Sequence, residues 1–395
     1  MKYPPHPGEQ TSSLRGGRTQ IHDPKSGRTI TTNARGEVRK IEAPRGLAGK
    51  MVVNRGPGGR RMVETGRPGA RVVSYGPHRG FAERTVRPGV ISRTYFVGGH
   101  SYAHVYREYR YHGHAYYHYV PGVYYGPRFY AWAVNPWGVP VHYAWFGLAT
   151  PAPWFGFYGA YFTPYPVYAS PDLWLTDYLV AENLRLAYEN QQAAYEGQAP
   201  PPPPEGQQTS AALTPEMKAL VAEEVRQQLA AERASAIQPT SAVPAPESEQ
   251  LPEAFNQKFF VVSSNLDITT REGQVCSLTP GDVIERKGKS VMDDGGVLVE
   301  VVSSKTGDCA ADAGASVQLA DLEEMHNQFR EQIDSGLKTL AANQARGLPN
   351  GPVAGARPVA DGTAEPVADV ESQLVAQESD AANLEAQVGQ GGVAN

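Results

Sequence analysis

Arg61-Met62-Val63-Glu64-Thr65, then Gly66-Arg67-Pro68-Gly69, then Arg71-Val72-Val73-Ser74-Tyr75: this stretch sets the reading of the N-terminal half. Each run mixes β-branched residues with Arg, and each is closed by Gly and Pro, which favour turns. The theme recurs at Arg28-Thr29-Ile30-Thr31-Thr32, Lys50-Met51-Val52-Val53-Asn54 and Ile91-Ser92-Arg93-Thr94-Tyr95. Further turns stand at Arg55-Gly56-Pro57-Gly58-Gly59 and Arg87-Pro88-Gly89. Short strands separated by such turns predict successive antiparallel hairpins over 20–97, a β-meander or roll rich in Arg. Residues 1–19 ahead of it read as disordered.

Outward from there the composition changes sharply. All five Trp (Trp132, Trp137, Trp145, Trp154 and Trp174) fall in or just after 98–170, among many Tyr. Such side chains bury large areas, which predicts an aromatic layer over 98–195. Ser170-Pro171-Asp172 starts a helix over 171–194, carrying Leu173, Trp174, Tyr178, Leu179, Leu184 and Tyr188. Residues 196–254 read as a linker, with a stiff polyproline spacer at Pro200 to Pro204. Within it Thr214-Pro215-Glu216 opens a helix over 215–236 with Met217, Leu220, Val221, Val225 and Leu229 in one stripe. A seam this narrow needs a partner, either the chain itself or a second copy in a short coiled coil.

Residues 255–342 read as a small β-domain followed by a helix from about Leu322 to Ala341, with Met325, Phe329, Ile333, Leu337 and Leu340 on one face. The two cysteines, Cys276 and Cys309, both lie here, and a disulfide closing a small core is the expectation, with two reduced core thiols as the alternative. Beyond it, 343–395 shows no clear period and reads as a disordered tail.

Charge is as uneven as hydropathy. The net value of −5 conceals 22 Lys/Arg against 7 Asp/Glu in residues 1–130, and 14 against 34 in the rest. A polycation joined to a polyanion suggests contact with an external polyanion or docking of one half on the other, with a solvated Arg-rich β-surface as the equally weighted plain reading. No stretch is apolar enough to span a bilayer. Met1-Lys2-Tyr3-Pro4-Pro5-His6-Pro7 has no apolar run of a secretory leader, so either the protein stays inside or its leader is missing through processing or a misplaced start.

His100, His104, His112, His114 and His118 are the sharpest chemical lead. On one extended strand, alternation would set His112, His114 and His118 on one face with Tyr116, an arrangement able to bind Zn or Cu. The bland reading is a half-exposed aromatic ribbon. No Gly-x-Ser-x-Gly elbow, His-Glu-x-x-His or phosphate-cradling Gly-rich loop is present, and no catalytic residue is assigned.

Two resemblances add to this. Leu278-Thr279-Pro280-Gly281-Asp282-Val283-Ile284, then Val297 to Val302, then Leu319-Ala320-Asp321-Leu322 resembles a small SH3-like barrel over 255–322, without the aromatic groove that reads Pro-rich ligands. Tyr106-Arg107-Glu108-Tyr109-Arg110-Tyr111, Pro171-Asp172-Leu173-Trp174-Leu175-Thr176-Asp177-Tyr178-Leu179 and Met325-His326-Asn327-Gln328-Phe329-Arg330 resemble uncharacterised secreted bacterial proteins with a Tyr/Trp-rich half. That resemblance implies a secreted or periplasmic location.

The expectation is therefore a mainly β protein with added helices: an N-terminal meander, a C-terminal SH3-like barrel with its helix, and disordered linkers and tail. The expected function is non-enzymatic, a structural or interaction component contacting protein or cell-surface polymer, with no membrane span. A His-dependent transition-metal-binding protein is one alternative. Polyanion or nucleic-acid binding through the Arg-rich third is the other; nucleic acid is disfavoured by the lack of a recognition helix or ribonucleoprotein-type strand motif.

Overall fold

The computed structural model describes residues 1–14, 17–46, 49–55, 61–67, 70–76, 78–145, 152–194, 211–237, 249–343 and 347–391. Within them the chain is mainly β with added helices. Eleven strands follow in chain order as one antiparallel meander: Gln10–Leu14 (β1), Arg18–Asp23 (β2), Arg28–Thr32 (β3), Val38–Arg45 (β4), Gly49–Arg55 (β5), Arg61–Arg67 (β6), Ala70–Gly76 (β7), Arg79–Arg87 (β8), Val90–Val97 (β9), His100–Tyr111 (β10) and His114–Val120 (β11). The expected strands near 30, 52, 63, 73 and 93 are all present. Of the expected turns at 55–59 and 66–69, residues 56–59 and 68–69 lie outside the described residues, as does the spacer at 200–204.

Two boundaries shift. The sheet runs on through Val120, because Gly98 and Gly99 (φ 59° and 81°) and His112 and Gly113 (φ 49° and 76°) make two further tight turns. The aromatic layer therefore begins only after β11. The N-terminus is also ordered, contrary to the expectation of disorder. Tyr3 is buried, its hydroxyl donates to Glu9 Oε1 at 2.6 Å, and β1 pairs with β2 over its whole length.

Register explains how the sheet is covered. Ile21, Ile30, Ile41, Val53, Val63, Ser74, Gly80 and Phe96 stand opposite one another from β2 to β9, a mostly apolar row crossing the strands. Seven inter-strand steps of ~4.8 Å make ~34 Å.

Helices begin at proline four times: Pro127–Val134 (α1), Pro153–Tyr158 (α2), Pro171–Ala194 (α3) and Pro215–Ile237 (α4). Leu319–Ala341 (α5) and Val370–Gly391 (α6) complete them. The tail expected to be disordered thus holds α6, whose 22 residues at ~1.5 Å each reach ~33 Å, the span of the row. Val370 and Leu374 join Ala82 and Phe96 in one core, while Ala381, Leu384 and Val388 join Ile21, Ile30, Ile41, Val53 and Val63 in another. The spacing 370, 374, 381, 384, 388 is helical; the intervening Ala, Gln and Ser dilute it.

Gly80 shows how closely α6 sits. A Cβ there would stand 2.6 Å from Leu374 Cδ2 and 2.1 Å from the Val73 carbonyl oxygen. Gly80→Val is expected to cost about 2–3 kcal/mol by overpacking; an unchanged denaturant midpoint would contradict this seating.

The aromatic layer forms the largest core. Phe129, Tyr130, Phe162, Tyr168, Trp174 and Leu175 are almost fully buried beside Val221, Val225 and Leu229 of α4 and Phe329, Ile333 and Leu337 of α5. The 215–236 stripe is thus covered by its own chain. Leu220 of the same stripe stays 40% exposed.

The C-terminal unit comprises Phe259–Val261 (β13), Leu266–Thr269 (β14), Val275–Leu278 (β15), Val283–Val291 (β16), Gly296–Ser303 (β17) and Gly314–Gln318 (β18). The sheet order is β13-β16-β17-β18, with the β14-β15 hairpin joined to it through a bridge between Thr270 and Ala315. The sheet does not close as a barrel would. Glu224 of α4 instead accepts the Lys258 and Phe259 backbone N–H groups, at 2.9 and 3.0 Å, beside β13. Two short strands, Val123–Tyr124 (β12) and Arg357–Pro358 (β19), tie the segment before α6 to the end of the meander.

Cys276 and Cys309 are bonded, with S–S 2.16 Å and a sequence separation of 33. Closing a loop of that length contributes roughly 4 kcal/mol through chain entropy. Replacing both cysteines by Ala is expected to lower unfolding free energy by about that amount; loss of under about 1 kcal/mol would contradict a structural role.

Candidate functional site

The five histidines do not converge. Register sets Tyr109 opposite Tyr116 and Arg107 opposite His118, so His114 and His118 share one face of the sheet. His100 and His104, at even positions of β10, lie on the other face, where the His104 ring meets the Tyr119 ring edge-on at 5.3 Å. His112 is the hairpin turn itself. A single strand was expected from 112 to 118, but the turn breaks it. Among the described residues no group of three or more His, Cys, Asp or Glu is placed to hold a metal ion.

The charge asymmetry is met inside the chain. Arg55 pairs with Glu385 at 3.5 Å, Arg87 with Asp361 at 2.5 Å, Arg79 with Glu189 at 3.3 Å, and Arg45 with Asp380. Deeper, Arg93 bonds Glu83 at 2.8 Å and Glu324 of α5 at 2.7 Å, with its guanidinium 4.2 Å from the centre of the Tyr106 ring. Tyr106 donates to Glu331, also of α5. Through these pairs acidic residues of the later half dock on the basic sheet, one of the readings its charge pattern allowed. Along the way α5 closes the sheet's edge. Asn327 Oδ1 accepts the Tyr119 N–H at 2.6 Å and Nδ2 donates to the Tyr117 carbonyl at 2.7 Å, as a neighbouring strand would.

One cleft gathers titratable groups that the sequence did not reveal. It measures about 210 Å³ and lies between one face of α4 (Glu224, Gln228, Glu232), the turn 253–257 and one face of α5 (His326, Arg330), with Tyr124 at its wall. Arg330 Nη1 donates to Glu253 Oε2 at 2.6 Å. Burial raises the Glu253 carboxyl, yet the Arg330 guanidinium beside it outweighs burial and holds it well below the usual range. The His326 Nδ1 meets Gln257 Oε1 at 2.8 Å, its Nε2 faces Glu253 at 3.7 Å, and burial lowers its pKa so that it stays neutral.

Glu232 is different. It is 4% exposed and has only neutral direct donors, Gln228 Nε2 at 3.1 Å and Tyr130 Oη at 3.2 Å. Burial pushes its carboxyl up to about 7, against the lowering pull of nearby Arg330. The fold therefore binds this proton more tightly than the unfolded chain does, and that stabilisation is present at pH 4–5 and lost as pH rises through 7. Glu232→Gln is expected to stabilise by about 2 kcal/mol at pH 8 and by almost nothing at pH 4. Equal melting shifts at both pH values would contradict the burial account.

The signal for this cleft was present but ambiguous. Glu224, Gln228 and Glu232 recur every fourth residue on α4, and His326 and Arg330 do so on α5. Such polar stripes read as solvated faces until the two helices are brought together. No protein-family model, curated protein or solved structure matches the chain.

Proposed function

We propose that the protein is a non-catalytic structural or interaction component of the cell exterior or envelope. Its C-terminal unit we read as an opened relative of the SH3-like arrangement, supported by the Gly281-Asp282 turn leading into β16. The disulfide carries the location, because such bonds persist in oxidising compartments. No described helix is long and apolar enough to cross a membrane. The non-catalytic part rests on how the ionisable groups are used. Arg93, Lys218 and Lys305 each sit in a buried ion pair that joins two elements, and His326 has both ring nitrogens directed at fixed side chains.

A surface suited to contact remains. β1 is an exposed edge of the meander; on its first strands Lys50 is exposed, and Gln20, His22, Thr29, Lys40, Glu42 and Asn54 are polar and partly buried. Cell fractionation with thiol alkylation before lysis tests the reading. The chain is expected outside the cytoplasm with Cys276 and Cys309 unalkylated; a cytoplasmic chain with both thiols alkylated would overturn it.

A further inference from the structure

Lys305 lies just beyond β17, and Asp282 directly precedes β16, at the open end of the hairpin these strands form. Their side chains are 5% and 0% exposed. Lys305 Nζ donates to Asp282 Oδ1 at 2.5 Å and to the Thr279 carbonyl at 3.2 Å. A second carboxylate adjoins the pair. Asp308, its side chain 8% exposed, has Oδ2 at 3.6 Å from the same Nζ and accepts the Thr279 hydroxyl at 2.5 Å. Backbone N–H groups hold both oxygens of Asp282, that of Lys305 at Oδ1 (3.0 Å) and that of Thr279 at Oδ2 (2.8 Å). The Tyr161 ring, centred 5.3 Å from Nζ, closes one side.

These are the parts that acyl transfer to an amine needs. The amine is held against the carboxyl group, a fixed N–H points at the oxygen that takes up charge when the carbon is attacked, and a neighbouring carboxylate can carry protons. Burial pushes the Asp282 carboxyl up to about 7 against the lowering pull of Lys305, so it works toward the neutral acid and amine. Two buried charges also bear a desolvation cost that a neutral amide does not. The buried pair of Lys218 and Asp177 differs: among the described residues no second carboxylate lies within ion-pair distance of Lys218.

We propose that the folded chain joins Lys305 to Asp282 through an intramolecular isopeptide bond, with loss of one water. Lys305 passes one ammonium proton to Asp282, and its Nζ then attacks Asp282 Cγ while the Thr279 N–H holds Oδ2. Asp308 takes a second proton from the nitrogen and returns it to Oδ1. That oxygen leaves as water with two of the three ammonium protons, and the third stays on the amide nitrogen. No oxidant or cofactor enters the balance. The event happens once per chain and is not turnover, so it goes beyond the reading above without depending on it. The bond closes the open end of the β16–β17 hairpin and, unlike the disulfide, survives reductant.

Mass spectrometry of the full chain, reduced and denatured, tests this. The mass is expected to fall one water below that of the sequence, and proteolysis is expected to give one branched peptide joining the Asp282 and Lys305 segments. Lys305→Arg keeps the positive charge but supplies no amine, and Asp308→Asn keeps the pair but removes the proton carrier. Each is expected to show the full mass of its own sequence, with the circular dichroism of the unaltered chain. A reduced chain at full sequence mass, a water lost with Asp282 and Lys305 on separate peptides, or a branched peptide persisting in Asp308→Asn would each overturn the proposal.

Discussion

Replacing Lys218 by Met is expected to lower the unfolding free energy by about 3–5 kcal/mol, because it leaves a buried carboxylate without its cation. The Lys218 and Asp177 side chains are 2% and 0% exposed and meet at 2.9 Å. Lys218 Nζ also donates to the Thr163 carbonyl at 2.8 Å and lies 3.6 Å from the centre of the Tyr165 ring. The other carboxylate oxygen accepts the Tyr165 N–H and the Tyr168 hydroxyl, each at 2.6 Å. One ion pair thus fixes α3, α4 and the aromatic loop between them. Asp177→Asn together with Lys218→Met removes both charges and is expected to recover at least about half of the loss in urea unfolding. Additive effects of the two changes would show that the pair is not coupled.

Ending the chain at Asp369 is expected to have the second large effect. Val370, Leu374, Leu384 and Val388 are each 8% exposed or less, and full burial of such side chains contributes about 1.5–3 kcal/mol apiece. Removing them uncovers the row from Ile21 to Val63, together with Arg45 and Arg55, whose acidic partners Asp380 and Glu385 leave with α6. An apolar stripe of this length seeks another surface. The shortened chain is expected to self-associate in light scattering and to melt well below the full chain. A monomer with an unchanged melting temperature would show that α6 does not support the sheet.

How much of this was legible in the sequence follows from where the signal is local. Arg71-Val72-Val73-Ser74-Tyr75 between two turns is a strand from its own residues, and Pro171 followed by Asp172 starts a helix wherever it sits. The order of the meander was readable for the same reason. Less legible was α6, whose Val370, Leu374, Leu384 and Val388 are separated by residues indifferent to helix or coil; only the row on the sheet gives them a reason to be buried. The C-terminal sheet was read as closed because its strands and its Gly281-Asp282 turn suit a barrel, but the Glu224 carboxylate at Phe259 comes from a helix 35 residues away.

The candidate site was legible only in pieces. Spacing singled out the histidines, yet one hairpin turn at His112 and Gly113 puts His114 and His118 on a different face from His100 and His104. Conversely, the polar stripes that carry Glu232 and His326 read as solvated faces, and only the cleft lined by both α4 and α5 brings them together. Charge was the more faithful guide: Arg45, Arg55, Arg79, Arg87 and Arg93 each pair with an acidic residue beyond 130, in a contact between the basic sheet and the acidic half.

Hydrogen–deuterium exchange on the full chain tests that contact most directly. Backbone amides of residues 374–390 are expected to be protected to a degree comparable with β7 to β9, because the acidic helix opens only when the basic sheet beneath it does. Exchange of those amides at the rate of a free peptide, with the sheet still protected, would contradict it.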